Sequence, residues 1–384
     1  MTDPANATTN AIVWADPARG HTFSAWLQGI AADHQLDTSS VRLASADASF
    51  RRYFRVDYSA ANGAASASRI IMDAPPEKED CRPFVQVASL MAEAGLSAPR
   101  VLAWDEAAGF MLLSDLGAKT MMEVIQPPLE IDAIAQPTAA HHALYMEAVD
   151  ALVRWQLASK PGLLPPYDDA LLSRELALFP EWYVAKHRGF TLDAAQQATL
   201  NGAFASIRAS NLNSLGGARV FVHRDFMPRN LMASTLFSAS ESFLPPERGA
   251  SSLGVLDFQD AVYGPITYDI ASLMRDAFLS WEEDFVLEIT IRYWQKALKA
   301  GLPVGDDFGE FYRAVEWMGL HRHLKILGIF ARLTLRDGKP QYLADTPRFI
   351  KYARHTAARY RQLGPFMVLL DAIEGNITRT GYTF

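Results

Sequence analysis

Val222-His223-Arg224-Asp225-Phe226-Met227-Pro228-Arg229-Asn230-Leu231-Met232 decides the reading of this chain, together with Gly254-Val255-Leu256-Asp257-Phe258-Gln259-Asp260 downstream. The first stretch holds His-Arg-Asp, four further residues and then Asn. The apolar run Val220-Phe221-Val222 leads into it and Leu231-Met232 leaves it. A base at the start of such a loop and an amide at its end can face one cavity. Asp257 also follows a short apolar run and can point the same way. Phosphoryl transfer suits these residue types. It needs a carboxylate to hold the attacking hydroxyl in line, and Mg2+ on hard oxygen ligands, only one or two of them carboxylates. Asp225 fits the first role; Asn230 and Asp257 fit the second. Singly, Asp225 or Asn230 could merely cap a turn.

Upstream of this stretch the patterns divide the chain. Residues 1–20 read as a loose arm. His21–Leu36 has apolar residues at helical spacing. Phe50 to Val56 and Arg69 to Met72 are β-prone and flank a Ser/Asn/Gly turn, as in a hairpin. Pro83–Ala94 reads as a helix closed by Gly95, and Val101–Trp104 and Phe110–Leu113 as two more strands. Ser114-Asp115-Leu116-Gly117 breaks that run and leads into a helix near Thr120. A small sheet-based lobe over 21–117 is expected. A mainly helical lobe over 118–384 follows, with helices at Tyr145–Gln156, Leu171–His187 and Asp193–Ala209 and again from Tyr268 onward. There is no internal repeat, and Ser234–Ser252 reads as a surface loop.

At 384 residues the chain is long enough for two cores. Its formal net charge of −7 argues against nucleic acid or anionic membrane as a partner. A single cysteine, Cys81, forms no internal disulfide and suits a reducing cytosol. Met1–Asn10 lacks the pattern of a signal peptide, and no run reaches the ~18 apolar residues of a membrane span. A cytoplasmic monomer acting on a small molecule is the expectation.

His223-Arg224-Asp225-x4-Asn230 with Leu256-Asp257-Phe258 resembles the protein-kinase-like pattern. The segment from Asp257 through Gly264-Pro265 to Tyr268-Asp269-Ile270-Ala271 is more similar to the aminoglycoside phosphotransferase and choline kinase superfamily. Ser45–Phe54, Met72–Asp80, Leu176–Tyr183 and Phe221–Met232 resemble, more narrowly, the bacterial anomeric kinases of N-acetylmuramate and N-acetylglucosamine that serve cell-wall recycling. The resemblance runs from about residue 21 to about 370. It implies an α+β, bilobal protein-kinase-like fold and an ATP- and Mg2+-dependent sugar kinase. It also implies Asp225 as base, Asn230 and Asp257 as metal ligands, and Asp269 bracing the catalytic loop. Ser114, Asp115 and Leu116 would form the adenine-binding hinge. Ser49, Arg51 and Arg52 would sit in the phosphate loop. From the residues themselves, Gln259 and Asp260 directly follow the metal-ligand position and are candidates to meet the acceptor, Glu181 beside Trp182 and Tyr183 is a sugar-site candidate, and Arg188 and Arg229 are the candidates to hold the lactyl carboxylate of N-acetylmuramate.

The chain departs from protein kinases at two places. Ala48–Arg52 replaces a glycine-rich phosphate loop, and Arg69-Ile70-Ile71-Met72 lacks the strand lysine. Arg51, Arg52 and Arg69 are the candidates for its role. A kinase with an aminoglycoside, choline or homoserine acceptor stays open as an alternative, as does a nucleotide-binding scaffold. His141-His142 reads as surface, His321 and His323 as exposed or structural, and Trp281 and Trp294 as core.

Overall fold

The computed structural model describes residues 12–46, 50–59, 67–128, 130, 133–233 and 253–375. It divides into two compact units. The first comprises residues 1–118 together with 254–260; the second comprises 119–253 and 261–384.

The first unit opens with helix α1 (Pro17–His34), whose start is fixed by the Asp16 side chain accepting the Ala18 N–H and by Pro17 at its first position. Five strands follow: β1 (Leu36–Ala46), β2 (Arg52–Tyr58), β3 (Ala67–Asp73), then, after helix α2 (Arg82–Glu93), β4 (Val101–Asp105) and β5 (Phe110–Ser114). They form one antiparallel sheet in the order β1-β2-β3-β5-β4. Inward residues at alternating positions, Phe54 and Val56 on β2 and Phe110 and Leu112 on β5, pack against Phe23 and Leu27 of α1. The expected hairpin is therefore present, but two features go beyond it. The helix starts four residues earlier, at Pro17, and β1 is a strand where no strand was expected. Asp37-Thr38-Ser39-Ser40 carries no apolar alternation. Strand β1 lies at the sheet edge, and its pairing slips between Asp37 and Arg42.

The second unit is mainly helical. It contains α3 (Met121–Ile125), α4 (Ala139–Leu157), α5 (Asp169–Leu178), α6 (Ala194–Asn213), α7 (Tyr268–Met274), α8 (Glu283–Lys299), α9 (Phe308–Leu335), α10 (Thr346–Arg359) and α11 (Gly364–Glu374). Helix α9 is buried nearly all round: Trp317, Leu320, Leu324 and Leu327 are fully enclosed. Gly328 lets α9 pack close to α5, since a Cβ there would stand 2.4 Å from the Leu178 backbone. Leu171–His187 was expected as one helix. Pro180 cannot donate a ladder hydrogen bond, so the α-helix ends at Leu178 and a π-helical turn runs over Phe179–His187. Among these helices, β6 (Arg219–Val222) pairs antiparallel with Val262–Pro265.

Candidate active site

In the second unit, the loop leaving β6 is held from beneath by one carboxylate. Asp269, fully buried on the first turn of α7, accepts the backbone N–H groups of His223 (2.7 Å) and Arg224 (3.0 Å). Burial pushes the Asp269 carboxyl up to about 7, against those two N–H bonds and Arg322. The brace expected from the sequence is thus present. It holds Arg224 at φ +78°, a left-handed conformation that a non-glycine residue keeps only when its surroundings impose it.

What imposes it is a buried ionic cluster. The Arg224 guanidinium meets Glu175 of α5 at 2.6 Å, and Lys325 of α9 meets the same oxygen at 2.8 Å. The Tyr167 hydroxyl donates to the other oxygen, with His321 at 3.8 Å. Arg322 donates to the Arg224 carbonyl at 2.8 Å. Burial alone would raise the Glu175 carboxyl, but Lys325, His321 and Arg224 outweigh it and hold the group well below the usual range. His321 is fully buried and burial lowers it to about 4, so it is neutral at pH 7. His321 and His323 are therefore structural rather than exposed. No short-range motif pointed to Glu175, Arg322 or Lys325. The available signal was α9 itself: a long helix apolar on every face is a buried one, and its charges must be paired inside.

Asp225 is half-buried and its backbone is fixed at both ends. Its N–H points at His223 Nδ1 (3.3 Å), and its carbonyl accepts the Asn230 side-chain N–H (2.9 Å). That second bond orients the Asn230 amide, with its oxygen at the opposite end from the committed nitrogen. The turn Pro228–Asn230 closes the loop before Leu231 and Met232.

Asp257 belongs to the first unit. Its segment is fastened there by Val255 N–H donating to Ser97 carbonyl (2.7 Å) and by Phe258 packing on Phe84 of α2, ring centroids 4.8 Å apart. Asp257 has φ +62°, and Gln259 donates to its Oδ1 at 2.9 Å. Asp260 beside it is exposed. Asn230 in the second unit and Asp257 in the first each carry a side-chain oxygen of the hard kind that Mg2+ takes.

The expected hinge begins where β5 ends. Ser114 Oγ accepts the Arg100 N–H at 2.9 Å. Asp115 is clamped by Arg55 (2.6 Å), Ser68 (2.6 Å) and the Gly117 N–H (2.9 Å), and Arg55 also reaches the Gly117 carbonyl. Burial of the Asp115 carboxyl is outweighed by these donors, which keep it below the usual range. Leu116 lies between the clamped residues.

Ser49 lies outside the described residues. Arg52 meets Asp73 at 2.6 Å, and Arg19 meets the other oxygen of the same buried carboxylate at 2.6 Å. The Arg52 guanidinium also stacks on Trp14. Arg51 pairs with Glu79 at 3.0 Å, and Arg69 stacks on Tyr58. Arg52→Ala is accordingly expected to lower the melting temperature by several degrees and to leave ATP affinity within about threefold, because it strips a partner from a buried carboxylate. A variant of unchanged stability that binds ATP tenfold more weakly would instead assign Arg52 to the phosphates.

Glu181 is exposed and pairs with Lys186, which lies over Trp182. Arg188 pairs with Glu374 at 3.5 Å, and Tyr183 donates to that same carboxylate from the core. Trp281 is core and donates to Tyr145 (2.6 Å), whereas Trp294 is only half-buried.

A five-stranded antiparallel sheet, a helical unit and a braced His-Arg-Asp-x4-Asn loop define a phosphotransferase of the protein-kinase-like kind. A model of the phosphotransferase enzyme family matches residues 40–308, and the chain belongs to that family. It is 42% identical to an N-acetylmuramate/N-acetylglucosamine kinase of Pseudomonas aeruginosa, over 94% of this chain and 98% of that one. Identity to the kinase of the same name from Neisseria meningitidis serogroup B is 43%, over 94% of this chain and 97% of the relative. The crystal structure of choline kinase from Cryptosporidium parvum has the same fold, with a TM-score of 0.56 at 11% identity, covering 90% of this chain and 99% of that one.

Proposed function

We propose that this enzyme transfers the γ-phosphoryl group of ATP to the anomeric hydroxyl of N-acetylmuramate and N-acetylglucosamine, as a cytoplasmic monomer in peptidoglycan recycling. The observation that carries the proposal is the end-to-end likeness to kinases named for these two sugars. In this reading Asp225 takes the proton of the sugar hydroxyl. An anomeric hydroxyl is more acidic than an ordinary alcohol, so orienting it and accepting its proton late is sufficient. Asn230 and Asp257 hold Mg2+, which when bound offsets charge on the transferred phosphoryl group. The backbone at Ser114, Asp115 and Leu116 meets adenine. The phosphate loop around Ser49 and Arg51 covers the phosphates, and Gln259 and Asp260 approach the acceptor.

Incubation with ATP, Mg2+ and each sugar tests the proposal, with the product's phosphorylated carbon assigned by phosphorus–carbon coupling. A C6-phosphate, or no sugar product beside brisk turnover of an aminoglycoside, choline or homoserine, would overturn it. Asp257→Ala is expected to raise the Mg2+ concentration needed for half-maximal rate and to cut turnover severely. An unchanged Mg2+ titration would remove Asp257 from the ligand set.

A further inference from the structure

The segment after α7, Asp276 to Ser280, carries polar groups that the catalytic loop does not use. Asp276 is 1% exposed. One of its oxygens accepts the Phe278 N–H at 2.7 Å, while Oδ2 has no hydrogen-bond partner among the described residues. The Phe278 ring lies under Arg229, whose guanidinium carbon is 5.0 Å from the ring centroid. Ser280 accepts from the buried Arg348 at 2.6 Å and contacts the Tyr352 hydroxyl at 2.6 Å. Burial pushes the Asp276 carboxyl up to about 6, opposed by the Phe278 N–H and by the charges of Arg348, Arg229 and Arg322.

Three guanidinium groups, those of Arg348, Arg229 and Arg322, thus bear on the Asp276 carboxylate. Arg322 is committed to the Arg224 carbonyl, and Arg348 to Ser280 and Asp345. Arg229 is exposed, and among the described residues it makes a ring contact but no ion pair. It sits on the turn Pro228–Asn230, four residues from Asp225. An acceptor whose hydroxyl reaches Asp225 must pass beside this loop. Arg188, also a sugar-site candidate from the sequence, is already paired with Glu374.

We infer that Arg229 recognises a carboxylate substituent on the acceptor, such as the lactyl ether of N-acetylmuramate, and that Asp276 is the buried counter-charge that orients it. A guanidinium offers a carboxylate two parallel N–H donors, which a lysine does not. The inference rests on the amino-sugar reading given above. It also supplies what that reading lacks, a group that distinguishes the two sugars.

The test is steady-state kcat/KM for N-acetylmuramate, for its neutral lactyl amide and for N-acetylglucosamine, in the wild type, Arg229→Ala and Arg229→Lys. The wild type is expected to prefer the acid over the amide. Arg229→Ala should lower the N-acetylmuramate to N-acetylglucosamine ratio at least tenfold, mainly through KM, with Arg229→Lys recovering part of it. Asp276→Asn should move the ratio the same way, and the exposed Arg229 variants decide the matter if Asp276→Asn does not fold. A ratio within twofold of wild type in Arg229→Ala, or equal use of acid and amide by the wild type, would overturn the inference alone. A wild type that turns over neither sugar would remove the amino-sugar reading and this inference with it.

Discussion

Asp225→Asn is expected to lower turnover by roughly 10²–10⁴-fold while leaving the fold and ATP binding intact. The side chain is nearly isosteric, so the bonds of the Asp225 N–H to His223 and of its carbonyl to Asn230 survive. An amide, however, cannot take the acceptor's proton. The loop is held by Asp269, Glu175 and Arg322, none of which bonds to the Asp225 carboxylate in the contacts described above. Loss of rate without loss of structure is therefore the signature of a base. Turnover, ATP titration and thermal unfolding on one preparation separate the two. Activity within about threefold of wild type would show that Asp225 is not the base.

Glu175→Ala is expected to have the largest effect on stability. It leaves Arg224 and Lys325 facing each other in the interior without their shared anion. Breaking a buried pair in this way costs about 3–5 kcal/mol, because the stranded charges stay desolvated. Chemical unfolding at pH 7 measures the loss. Turnover should fall as well, since Arg224 holds its left-handed conformation against Glu175 and Asp269, and Asp225 is the next residue. The pH dependence follows from two groups in the cluster. Glu175 titrates lower in the folded state than in the unfolded chain, so its stabilisation is present above about pH 4.3 and is lost as pH falls through the folded value. His321 is lowered to about 4. Between an unfolded value of about 6.5 and that point only the unfolded chain takes the proton, so the contribution of His321 to stability should decline from pH 6.5 toward 4, opposed over the same interval by Asp269 and Asp276, whose raised carboxyls take protons first in the folded state. A His321→Gln variant whose stability changes with pH in parallel with the wild type across that interval would show that His321 is not held neutral. A Glu175→Ala variant as stable as wild type would show that the cluster is not an anchor.

The catalytic loop was legible because its information is local. His223, Arg224, Asp225 and Asn230 lie within eight residues, between two short apolar runs, and the Asn230 side chain closes the loop onto the Asp225 carbonyl. The sheet was legible where strands alternate against a buried face, as at Phe54 and Val56. It was illegible at β1, an edge strand with polar residues and a slipped register. The helices were read well where one face is apolar. The π-helical turn after Leu178 was not, although Pro180 marks the place where the regular ladder fails.

The order of sheet-rich and helix-rich segments, the turn chemistry of the catalytic loop and the residue types available for transfer are all written locally in the chain. Spacing of two, or of three to four, along the chain sets which side chains share a face, and that spacing is written locally. Tertiary structure alone decided the partners. Glu175 reaches Arg224 across 49 positions and Lys325 across 150. Arg52 is drawn onto Asp73 with Arg19, and Arg188 onto Glu374. Arg322, Lys325 and His321, charged or polar letters on paper, lie in the interior. A charge finds its counter-ion by where folding buries it, and burial is set by long-range packing that no short window of sequence contains.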